Sequence, residues 1–191
     1  MTTIPAPPPT LSQAGRAAHD LGLAGLLGGA LFGRMALHPA VASISDPRER
    51  GEVVNAAWRR YGTVNSLSLA AVVAGWAGAR VAEAADRNLT PAERRLARAK
   101  DGLVAALVAF GVASAVDGVR FARSAPGGAV PLADGSHPTA QTPATAARLK
   151  RRLNVLGALT IGAEVGLVAV NAALVQEGFR RPKVRRRVRL R

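Results

Sequence analysis

Four long stretches of the chain are almost free of charge, and short charged segments separate them. The first runs from Leu21 to Ile44, with Arg34 and His38 as its ionisable residues. The second, Tyr61 to Ala79, is 19 residues without a charge, flanked by Arg60 and Arg80. The third, Gly102 to Phe121, is charged only at Asp117 and Arg120, and the fourth, Leu153 to Gln176, only at Glu164. A bilayer core needs roughly 20 predominantly apolar residues as helix, and each stretch approaches that length. A soluble surface helix would show a polar stripe at 3.6-residue spacing, yet Leu67 to Ala79 has no polar face. The pattern predicts an all-α fold, a transmembrane four-helix bundle with flexible termini. Its helices fall at about 17–44, 53–83, 91–122 and 146–179, within a domain spanning 17–179.

Local signals place the connections. Ser45-Asp46-Pro47 stops the first helix, because proline lacks an N–H and restricts the residue before it. Thr90-Pro91-Ala92-Glu93 reads as a helix start, with Thr90 as N-cap and Glu93 at the capping-box position. Residues 124–147, rich in Pro, Gly, Ser and Thr, predict a long mobile loop, with a turn at Gly127-Gly128. The Pro-rich segment 1–16 reads as disordered, as do residues 182–191 of the basic tail 180–191.

Composition changes this picture in three ways. The net charge of +14 raises nucleic acid as a partner, but eight of the 26 basic residues sit in the last twelve positions. Arg180 directly follows a span, so contact with anionic lipid through Arg180, Arg181, Lys183, Arg185, Arg186 and Arg187 is the simpler expectation, and nucleic acid is not expected. The absence of cysteine excludes disulfides, zinc–thiolate sites and thiol nucleophiles. Arg dominance with abundant Ala, Gly and Val points to a GC-rich bacterial genome, hence a bacterial plasma membrane. The first fifteen residues lack the basic start of a secretory signal, so the first stretch is expected to stay as an anchor. With both termini cytoplasmic, fourteen basic residues lie inside and ten outside, which favours that orientation.

Association of helices in lipid relies on close backbone approach and buried polar contacts. Gly25, Gly29 and Gly33 form a small-residue groove on the first helix, with Ala70/Ala74/Gly78 and Ala158/Gly162/Gly166 on the second and fourth. These faces serve packing within the bundle, a homo-oligomer or another membrane protein. Intramembrane ionisable groups usually face the interior and pair. Counting 1.5 Å per residue from the helix centres puts Arg34, Asn65, Asp117 and Glu164 in one half of the bilayer. Arg34 is thus expected to pair with Glu164 or Asp117, or to bridge both, with Asn65 completing the cluster and His38 and Asn171 as further members. The cluster is either a register-fixing ion pair or a site for binding or proton transfer.

No phosphate-cradling loop, hydrolase motif or metal-ligand cluster occurs, and His19, His38 and His137 are too dispersed for haem. No cofactor is expected. Trp58 and Tyr61 fall at the outer end of the second helix, where aromatic belts form. The glycine-rich first helix ending in His38-Pro39-Ala40, followed by Trp58-x-x-Tyr61, resembles the anthrone-oxygenase-like family of small four-span bacterial membrane proteins over about 40 residues. That resemblance implies a membrane oxidoreductase and assigns no catalytic residue. The residues themselves favour an accessory or scaffold component without catalysis, with a small proton-coupled carrier as the alternative.

Overall fold

The computed structural model describes residues 11–81 and 84–180. The first helix, α1, spans Leu11–Phe32 and runs on without a break through a π turn at Gly33–Leu37, a helical turn at His38–Ala40 and a 3-10 turn at Val41–Ser43. The π turn has a local cause. Pro39 has no N–H for the Met35 carbonyl, and its ring would collide there in a regular α-helix. The turn widens instead, and the His38 N–H reaches the Gly33 carbonyl five residues back.

Helix α2 covers Pro47–Val81, α3 Pro91–Ala122 and α4 Ala144–Arg180. Pro47 is therefore a start as well as a stop. Asp46 accepts the Arg48 N–H at 2.9 Å, and proline occupies the first helical position, where a missing N–H costs nothing. Thr90 and Glu93 form the reciprocal capping box their spacing predicts, at 3.3 and 2.8 Å. At 35 residues, α2 is about 50 Å long and overshoots a hydrocarbon core of about 30 Å.

All four helices are long and apolar enough to cross a membrane. Their outward faces carry large apolar side chains: Leu21 and Met35 are 74% exposed, Leu67 68% and Val112 57%. A water-facing bundle would place polar residues there, and lipid is the solvent such a surface fits.

Helix α1 packs along α2 and α3 along α4, and α1 meets α4 where the two pairs join. The glycine stripe of α1 faces α2. A Cβ at Gly29 would collide with the Tyr61 ring, one at Gly33 with Trp58, and one at Gly25 would lie 2.6 Å from Ser68 Oγ. On α4 the stripe divides. A Cβ at Gly166 would lie 3.1 Å from Leu103 of α3, whereas one at Gly162 would meet nothing within 4 Å. Leu23, Leu26, Val72, Trp76, Ala97, Val104, Leu107 and Leu167 fill the centre.

The α3–α4 connection departs from the mobile loop its composition predicts. Val130 and Leu132 are fully buried against Phe121 and Ala146. The loop is fastened by Leu132 N–H to the Pro47 carbonyl, Gly135 N–H to the His38 carbonyl and Asn55 to the Gly128 carbonyl. Arg50 of α2 donates to the carbonyls of Ile44 at 2.6 Å and Ala133 at 2.8 Å, tying the α1–α2 and α3–α4 connections together. The turn at Gly127 and Gly128 holds φ of 64° and 80°, where glycine avoids a Cβ clash.

Candidate functional site

The end of the bundle carrying the α1–α2 and α3–α4 connections is the outer end in the orientation expected from charge. There the π turn brings His38 against α2 and the loop. Trp58 donates its indole N–H to His38 Nε2 at 3.0 Å, and His38 Nδ1 lies 3.0 Å from Ser136 Oγ. Indole nitrogen only donates, so Nε2 accepts and the proton sits on Nδ1, directed at Ser136. The ring is thereby held neutral with both nitrogens engaged. Trp58 meets Tyr61 edge to face at 6.3 Å between ring centres, and Tyr61 donates to the Gly25 carbonyl at 2.6 Å. The His38-Pro39 and Trp58-x-x-Tyr61 residues thus form one clasp between α1 and α2.

Asp134 organises the loop above this clasp. Its carboxylate accepts the backbone N–H groups of Ser136 and His137 at 2.5 and 2.9 Å, and His137 Nδ1 at 2.7 Å. Burial opposes its ionisation, but these hydrogen bonds outweigh burial and hold the carboxyl below the usual aspartate value. Asn154 of α4 donates to the Ser136 carbonyl at 2.7 Å. Arg34, His38, Asp134, Ser136, His137 and Asn154 surround a cleft of about 250 Å³. Arg34 is exposed and makes no hydrogen bond or ion pair among the described residues, so its guanidinium is open to a polar group entering from outside.

The expected cluster of Arg34, Asn65, Asp117 and Glu164 is not assembled. Asp117 is buried and is ion-paired instead with Arg152 at 2.8 Å and Arg120 at 3.8 Å. Asn65 is exposed on α2. Glu164 is 1% exposed, and its Oε2 has no hydrogen-bond partner among the described residues. Axial register explains the separation. Arg152, which meets Asp117, precedes Glu164 by twelve residues, about 18 Å along α4. Asn171 of α4 lies at 3.4 Å from His19 of α1, which puts Glu164 level with Leu26, about 12 Å from Arg34. Measuring depth from the middle of each apolar stretch failed because the helices differ in length and are not centred on one plane.

The inner end carries a second polar group that the sequence did not reveal. His19 is buried, with Nδ1 at 2.9 Å from the Val72 carbonyl, and Asn171 also donates to Asp20 at 3.3 Å. The buried Lys100 ammonium lies 4.2 Å from the centre of the Trp76 ring, and Trp76 donates to Asp101 at 2.8 Å. Arg80 joins Asp101 at 3.2 Å to Asp86 at 3.0 Å, and its hydrogen bond lowers the Asp86 carboxyl below its usual value. Of the tail residues expected at lipid, Arg180 pairs with Glu177 at 2.8 Å, whereas Arg181, Lys183, Arg185, Arg186 and Arg187 lie outside the described residues.

No protein-family model, curated protein or solved structure matches the chain. What its sites can do rests on their own chemistry. The outer end offers an open guanidinium beside a neutral imidazole, the inner end a buried hydrogen-bonded histidine, and the middle a lone carboxyl.

Proposed function

We propose that this chain is an accessory component of a bacterial plasma membrane, with both termini cytoplasmic, holding a partner membrane protein rather than conducting or transforming a solute. The observation that carries this role is the filled centre: Leu26, Val72, Val104, Leu107 and Leu167 occupy the space a conduit would need. Arg50 and the fastened loop lock the outer connections together, which suits a rigid support. The partner's contact is a transmembrane helix seated on α4 at Ala158 and Gly162, where the exposed glycine permits close backbone approach. The basic tail adds attraction to anionic lipid, about 1 kcal/mol per basic residue near the surface.

The chain contains no cysteine, so Gly162→Cys and Ala158→Cys each introduce a single attachment point for a photo-activated cross-linker. Irradiated native membranes should yield one discrete adduct between this chain and a different protein. An adduct of twice the chain's mass would show self-association instead. Absence of any adduct from both positions would end the accessory reading. A proton-coupled carrier is the second reading, favoured by the lone carboxyl of Glu164.

A further inference from the structure

Glu164 is the one carboxyl in the middle of the bundle among the described residues. Between Asp20 and Arg34 on α1, Tyr61 and Arg80 on α2, Asp101 and Asp117 on α3, and Arg152 and Glu177 on α4, no other ionisable residue occurs. The charged groups that flank it are therefore about one turn or more away along each packed helix, and the Tyr61 hydroxyl of α2, near its level, is engaged with the Gly25 carbonyl. Arg34, His38, Asp117, Asp134, Lys150 and Arg152 lie outward, and His19, Asp20, Lys100 and Asp101 lie inward. At the level of Glu164 the interior is Leu23, Leu26, Val104, Leu107 and Leu167. The residue is 1% exposed, and Oε2 is buried with no hydrogen-bond partner among the described residues. An ionised carboxylate cannot persist uncompensated in such surroundings, whereas a protonated one is neutral.

The seam between α1 and α4 differs on the two sides of this residue. Outward, Thr160 and Gly157 share its face of α4, offset by about 40° and 20° at 100° per residue. A Cβ on Gly157 would meet nothing within 4 Å, so space remains there below Asn154 and the Arg34–His38 cleft. Inward, Leu167 is fully buried, Leu23 is 3% exposed and His19 is clasped between Val72 and Asn171.

We propose that Glu164 is a proton-binding site at mid-bilayer, loaded from the outer cleft along the α1–α4 seam. A proton delivered by water converts the carboxylate to the carboxylic acid, and its return to water restores the carboxylate. This inference rests on the membrane-spanning architecture alone, and its optical readout is independent of whether a partner is captured at Gly162.

The test is infrared difference spectroscopy of the full chain in phosphatidylcholine vesicles stepped between alkaline and acidic pH. A carboxylic C=O band of a dry environment should appear on acidification and shift in D₂O. It should vanish in Glu164→Gln and move to a different frequency in Glu164→Asp, which keeps the carboxyl if the glutamine variant does not fold. Gly157→Leu fills the seam without touching Glu164 and should slow appearance of the band by at least about tenfold. A band that is absent, insensitive to pH, or unchanged in Glu164→Asp would overturn the proton site. An unaltered rate in Gly157→Leu would overturn the outer route.

Discussion

Gly33 lies where the Trp58 ring crosses α1, and the space available there is smaller than one methyl group. Gly33→Ala should therefore force the indole away from His38 and cost about 1–3 kcal/mol, the usual range for an overpacked contact. Gly28 is the matched control on the same helix, because a Cβ there meets nothing within 4 Å. Gly28→Ala should be neutral or stabilising by up to about 1 kcal/mol, since alanine favours the helix. Thermal unfolding in mild detergent measures both, and equal midpoints for the two variants would refute the assignment of the stripe to α2. The glycine spacing on α1 was legible in the sequence, but its partner was not. Trp58, Tyr61 and Ser68 supply large and small surfaces at intervals that no single periodicity on α2 announces. The same gap concerns Glu164. Its position in an apolar stretch was plain, while the absence of a partner depended on the register between α1, α3 and α4.

At the scale of elements, the α3–α4 connection is where composition misled. Its Pro, Gly, Ser and Thr content resembles that of a flexible linker, yet Val130 and Leu132 enter the interior and Asp134 closes a turn over them. The useful signals were an apolar pair within a polar segment and an aspartate two and three residues before the N–H groups it accepts. Asp134 binds its proton less tightly folded than unfolded. Its contribution is thus complete above the unfolded value of about 4 and is lost as pH falls through the folded value. Hydrogen exchange at the Ser136 and His137 amides should accelerate, relative to the α3 helix amides, on acidification through that range. Asp134→Asn keeps an acceptor oxygen but has no charge to lose, so its exchange should be faster at neutral pH and lack that acid transition. Retention of the transition in the asparagine variant would assign it to another group. By contrast, Thr90 and Glu93 were legible because a capping box is wholly local, and the π turn was not, because an apolar run carried through to residue 44 does not show how the backbone passes Pro39. The helix continues past Pro39 since one widened turn removes the clash, and the contacts of His38 with Trp58 and Ser136 hold it in place.

For the whole molecule, four apolar stretches were enough to give the bundle, because in lipid every backbone group must be bonded within its own helix. They could not say which helices pair, or which end faces which side. The paired arrangement assigns the fastened loop, the Asp134 turn and the Arg34 cleft to one end, and the Arg80–Asp86–Asp101 network with the α2–α3 turn to the other. Orientation then rests on basic residues. The α2–α3 connection and the start of α3 carry Arg87, Arg94, Arg95, Arg98 and Lys100, and the C-terminal tail adds eight more on the same side. Ten lie on the other side, so the bias depends on the tail. Because the chain lacks cysteine, it serves as its own background for accessibility labelling. Ala140 is exposed on the α3–α4 connection and Ala92 on the first turn of α3. In intact cells a membrane-impermeant maleimide should modify Ala140→Cys promptly and Ala92→Cys only after the membrane is opened. The opposite pattern would invert the protein, place the Arg34 cleft in the cytoplasm and make the inner side the source of protons for Glu164. Removing residues 181–191 sharpens the cause: if the tail sets the bias, the truncated chain should label at both positions as a mixture of orientations, whereas unchanged labelling would move the determinant to the α2–α3 connection.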